Sequence, residues 1–107
     1  MKYAFMTYSC PEADLDAVLE TASRYGYDGV EPRLSSGHGH GLEFETPAAA
    51  RAEAKAKAGA AGVAFACVAT SCRFADPETV DEAVADAHRA IDLASDIGSG
   101  RIRVFGG

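Results

Sequence analysis

Two short segments carry the residue types that do chemistry. The first is Glu31-Pro32-Arg33. Strand side chains alternate faces, so an extended backbone brings Glu31 and Arg33 out on one side. A carboxylate there can move a proton, and the arginine can grip a phosphate or carboxylate. The competing role for Glu31 is a structural ion pair with an arginine. The second segment is the glycine-rich run Ser35-Ser36-Gly37-His38-Gly39-His40-Gly41. Histidines spaced as His38 and His40 can ligate one metal ion, or they can contact a substrate. The competing expectation is a mobile, solvated loop. The glycines do not follow G-x-G-x-x-G, which argues against a dinucleotide cradle. Arg73 follows an apolar run and is a further candidate for an anionic group, with a plain surface arginine as its alternative. Cys72 beside it has no local histidine partner and reads as an inert thiol rather than a nucleophile. Cys67 reads as core and His88 as a solvated helix residue.

These residues need strands and helices to hold them. Tyr3–Tyr8 is a short aromatic-rich run and predicts the first strand. Asp14 then opens a helix whose apolar positions Leu15, Val18, Leu19, Ala22 and Tyr25 follow a 3.6-residue period. Gly26 stops it. The second strand is predicted at 29–33, ending around Pro32. Thr46-Pro47 predicts a cap and a first helical turn for an alanine-rich helix, Ala48–Ala61, stopped by Gly62. Val63–Ser71 reads as one strand buried on both faces. Asp76-Pro77-Glu78 predicts the start of a third helix. Its stripe is Val80, Ala83, Val84, Ala87, Ile91, Ala94 and Ile97, with Gly98 as its stop. Arg101–Phe105 predicts the last strand. The order is βαβαβαβ, which implies an α/β fold of parallel strands joined by right-handed crossovers, in a single domain over 1–107.

Composition narrows the function classes. The chain has 107 residues and a net charge of −6, with 24% charged and 48% hydrophobic residues. That is a globular composition for one domain. The basic residues are scattered, so a nucleic-acid backbone is not an expected partner. No apolar window is long enough for a membrane span, and no membrane partner is expected. Three cysteines without a C-x-x-C pair suggest a reducing cytoplasm without a structural disulfide.

Four parallel strands with no helix after the last leave bare apolar surface and two open edges. The expectation is a parallel (βα)3β segment, the first half of a TIM (β/α)8 barrel, which needs about 200 residues or more. A small open α/β binding module is the alternative. Several features together resemble the xylose isomerase-like TIM barrels. Tyr25-Gly26-Tyr27-Asp28-Gly29-Val30-Glu31 looks like the junction of their first helix and second strand. Ala87–Ala94 and the stretch from Ile97-Gly98 to Arg103-Val104-Phe105-Gly106-Gly107 are similar to their counterparts in the sugar isomerase/epimerase branch.

That resemblance implies a metal-dependent sugar or sugar-phosphate isomerase/epimerase, with a dehydratase or an endonuclease IV-like enzyme as alternatives. It implies a divalent metal (Mg²⁺, Mn²⁺, Co²⁺ or Zn²⁺) in the full-length protein, held mostly by later strands. No tight metal site is expected in these 107 residues, which should be inert alone. It places Glu31 at the family's strand-two glutamate, as the catalytic candidate. Arg33, His38, His40 and Arg73 are the substrate-contact candidates. Alternate barrel strands share interior layers, so Arg103 should point inward and meet Glu31. Open sheet edges imply self-association.

Overall fold

The computed structural model describes residues 1–107. Strand β1 is Ala4–Met6 and helix α1 is Leu15–Arg24; β2 is Gly29–Glu31 and α2 is Ala48–Ala61. Then come β3, Ala64–Phe65, β4, Val68–Arg73, α3, Val80–Ile97, and β5, Ile102–Phe105. All strand pairs are parallel: β1 with β2, β2 with β3, and β4 with β5. A bridge from Arg33 to Ala69 joins β2 to β4. The strands therefore stand side by side in sequence order, as in a barrel wall. A flavodoxin-like sheet would instead have β1 between its second and third strands.

One face of the wall is covered by helices. Val30 and Val68 are completely buried there, together with Val18 and Ala22 of α1, Ala54 and Ala58 of α2, and Leu93 and Ala94 of α3. Alanine on α2 lets that helix approach closely. The other face carries the alternate residues. Its floor is small: a side chain on Gly29 would touch the Cβ of Ala66 at 3.1 Å and that of Ala4 at 3.7 Å. Larger residues stand above this floor, towards the C-terminal ends of the strands.

Several local expectations are corrected. The first strand stops at Met6, and Thr7–Ser9 form a 3-10 turn. The Thr7 hydroxyl is turned into the fold, where it accepts from Arg33 N. The second strand stops at Glu31, because Pro32 has no N–H to continue it. The predicted strand 63–71 breaks at Ala66-Cys67, where pairing passes from β2 to β5. Thr46 does not cap α2; its hydroxyl donates to Gly41 O and accepts from Glu43 N. Asp76 caps a turn, accepting from Glu78 N, and α3 begins only at Val80. Its buried stripe runs through Ala83, Ala90, Leu93, Ala94 and Ile97, while Val84 and Ile91 face outward. The predicted glycine stops hold: Gly62 and Gly98 both take the left-handed conformation, at φ +68° and +86°.

Candidate functional site

The polar residues gather at the C-terminal mouth of the strands. Arg33 lies in register with Ala69, and Ala69 in register with Arg103. The two arginines thus flank an alanine, whose methyl group leaves space between them. Beyond that row, the five residues of β4 from Ala69 to Arg73 span the same ladder as the three of β5 from Arg103 to Phe105. Such an irregularity frees backbone groups from the ladder. Thr70 O is one of these. It accepts from Arg33 Nη1 at 2.6 Å and from Arg103 Nη1 at 2.9 Å. Arg33 also donates from Nε to Ser36 Oγ at 3.2 Å and from Nη2 to Ser71 Oγ. Arg103 Nη2 reaches Met6 Sδ at 4.0 Å. Arg73 and Arg103 both lie over the Phe105 ring, at 4.7 and 4.3 Å.

The histidine loop is not solvated. His38 and His40 retain 7% and 6% exposure, which overturns the mobile-loop expectation. His38 Nδ1 is 2.9 Å from Thr7 Oγ1, and its ring packs edge-on against Tyr8. His40 Nδ1 accepts from Leu42 N at 3.0 Å. Nε2 therefore carries the proton and donates to Arg33 O at 3.0 Å. Burial pushes the pKa of His40 below the ordinary histidine value. The Arg33 carbonyl and the Glu43 charge oppose that push, and His38 adds to it. The two histidines do not face a common metal position. Their inward nitrogens serve Thr7, Leu42 and Arg33, so they brace the arginine.

Glu31 is half-buried, on the wall face opposite the fully buried Val30. No ion pair joins Glu31 to Arg103. The ion pairs of the molecule join Arg51 to Asp96, Lys57 to Asp16 and Glu53, and Arg89 to Glu45 and Asp86. Arg103 is drawn instead to the Thr70 carbonyl. The structure leaves Glu31 without a basic partner, which removes the structural ion-pair reading. Burial raises the Cys67 thiol pKa, and Glu31 adds to that while Arg101 and Arg103 oppose it. Cys67 is thus a protonated thiol rather than a thiolate. Cys72 is buried. Arg73 is exposed at the rim and lines a cavity of about 200 Å³ with Ser71, Cys72 and Glu82.

Sequence reasoning missed Thr7, Ser36 and Ser71 as parts of one cluster, and it placed Arg103 inward with Glu31 rather than the Thr70 carbonyl as its partner. Ser35 at the same mouth has φ +60°, uncommon for a residue other than glycine, and its N–H donates to Glu43 Oε1 at 2.7 Å. The one available signal for Arg103 was its alternation with Ile102 and Val104.

Parallel strands in sequence order, with helices on one face and polar residues at the C-terminal mouth, define part of a β/α barrel wall. The fold is that of part of a TIM barrel. The chain is similar to the probable 3-DHS dehydratase AsbF of Bacillus anthracis, involved in petrobactin synthesis, with a TM-score of 0.74 and 14% identity. It is also similar to a xylose isomerase-like TIM barrel/4-hydroxyphenylpyruvate dioxygenase fusion protein, with a TM-score of 0.71 and 19% identity. The likeness covers 100% and 97% of this chain but 39% and 16% of those chains. No family model and no curated protein matches the sequence. No helix is long and apolar enough to cross a membrane.

Proposed function

We propose that this chain is the N-terminal part of an isomerase or epimerase acting on a small sugar or sugar phosphate. The reaction class is proton transfer at a carbon beside a carbonyl. The observation that carries this reading is Glu31, a half-buried carboxylate without an ion-pair partner on the wall face that would line a barrel. A carboxylate not engaged in an ion pair is available to take a proton from a substrate. Arg33 would orient the substrate, held by its hydrogen bonds to Ser36, Thr70 and Ser71. The divalent metal expected from the resemblance has no cage here: no three His, Cys, Asp or Glu side chains of this chain converge. The chain's own residues do not fit a metal by themselves, and their assigned work is positioning and proton transfer. The three free cysteines suit a reducing, cytoplasmic setting.

A dehydratase is the second reading, favoured by the likeness to a probable 3-DHS dehydratase. Loss of water from a β-hydroxy ketone begins with the same proton abstraction. The test assays the chain alone and with the C-terminal part of a xylose isomerase-like barrel supplied. Substrates are keto- and aldo-sugars, their phosphates, and a β-hydroxy ketone, with Mg²⁺, Mn²⁺ or Co²⁺. Turnover is expected only after complementation, and Glu31→Gln should then lower kcat by about 100-fold or more. Unchanged kinetics in Glu31→Gln would remove Glu31 from catalysis.

A further inference from the structure

Arg33 is 9% exposed, yet all the ion pairs in this acidic chain lie elsewhere. A buried guanidinium is normally paired with a carboxylate, because removing a charge from water is costly. Here it is held by neutral groups: Ser36 Oγ, Thr70 O and Ser71 Oγ. A second guanidinium, that of Arg103, shares the same carbonyl oxygen. The two Nη1 atoms therefore lie no farther apart than the sum of their distances to Thr70 O. Two like charges this close in a partly buried site repel each other. The arrangement holds two positive charges and no paired anion.

We propose that Arg33 and Arg103, with Arg73 at the rim, form a subsite for a small oxyanion, so that the substrate of the proposed enzyme carries a carboxylate or phosphate group. This rests on the reading of the interior face as a substrate pocket. It goes further by excluding neutral sugars as the preferred ligands. The donors are available. Arg103 Nη2 holds only a sulfur contact at 4.0 Å, and Arg73 stacks on Phe105. Planar guanidinium forks suit an anion with two or more oxygens, and each such contact is charge-assisted. The net charge of −6 disfavours a polyanion and leaves a local positive site for a small one. Arg101, on the same segment, is exposed at the opposite end of the wall, beside Lys2 and Gly62, and serves as the control.

The experiment titrates the 107-residue chain with inorganic phosphate, acetate or neutral xylitol, without metal and at fixed ionic strength. The readout is the arginine Nε–Hε resonances. Phosphate or acetate should shift Arg33, Arg73 and Arg103 saturably and leave Arg24, Arg51, Arg89 and Arg101 in place. Xylitol should shift none. Stronger binding of phosphate would indicate a sugar phosphate, and stronger binding of acetate a sugar acid. Arg103→Gln should weaken binding by about tenfold, Arg73→Gln by a smaller factor, and Arg101→Gln by less than about twofold. Uniform shifts at all arginines, no saturation, or equal loss in Arg101→Gln would overturn the subsite. The outcome is separable from the catalytic reading: anion binding without turnover after complementation removes the enzyme and keeps the subsite. Turnover of neutral sugars without anion binding does the reverse.

Discussion

His40 shows how a single buried residue sets the geometry of its neighbours. Its Nδ1 faces the Leu42 N–H, so a second proton there would meet a donor rather than an acceptor. Burial adds to that cost and lowers its pKa. An unfolded histidine titrates near 6.5. Between the lowered folded value and 6.5, the unfolded chain binds more protons than the folded one. Stability therefore rises with pH through that window and is lost as pH falls through it, by at most about 1.4 kcal/mol per pH unit for one proton. Denaturant unfolding from neutral pH downward should show this slope, and His40→Gln should flatten it. An unchanged slope in His40→Gln would assign the titration to other groups. The burial of this loop was not legible in the sequence. Glycine and serine around two histidines read as solvated because composition is local, whereas the partner of His38, Thr7, lies 31 residues away.

At the scale of elements, loop 35–41 is held to the segment before α1 by close backbone approach. Gly39 N donates to Pro11 O at 2.8 Å, and a Cβ on Gly39 would lie 2.6 Å from Glu12 O and 2.8 Å from Ala13 O. Backbone atoms cannot yield as a side-chain tip can. Gly39→Ala should therefore destabilise the chain by about 1–3 kcal/mol. Gly59 is the opposite case: it lies inside α2, and nothing is within 4 Å of its added Cβ. Gly59→Ala should stabilise by about 0.5–1 kcal/mol through helix propensity. Urea denaturation of the two variants checks both signs, and a neutral Gly39→Ala would mean that the loop is not pinned there. Helix stops were readable from Gly62 and Gly98, since each glycine ends its helix in the left-handed conformation. The break at Ala66-Cys67 was not, because a continuous run of small and β-branched residues does not mark where a strand changes partner. The stripe of α3 was misplaced towards Val84 and Ile91 because apolar spacing alone cannot show which of two adjacent faces meets the sheet.

At the largest scale, residues 1–107 form a wall with two free parallel edges, β1 and β5. Each edge pairs on one side only. Exposed aromatic groups lie beside the first, with Tyr3, Tyr25 and Tyr27 at 60%, 69% and 38% exposure. A free edge presents unpaired N–H and C=O groups and invites another strand. The edges differ, so one cannot pair with itself by parallel extension of the sheet. A two-fold axis along the barrel centre would set β5 of one copy against β1 of the other, twice over, and close the contact. The same axis would bring the interior arginines of two copies towards each other, which opposes closure unless anions are present. Self-association is therefore expected to strengthen with added phosphate. Light scattering across a wide concentration range should show mass rising from 11.1 kDa towards twice that value. Val104→Lys, placing a charge on the β5 edge, should shift the equilibrium back. A monomer at every concentration, with and without phosphate, would show that the edges are kept apart by the twist of the wall or by its charge.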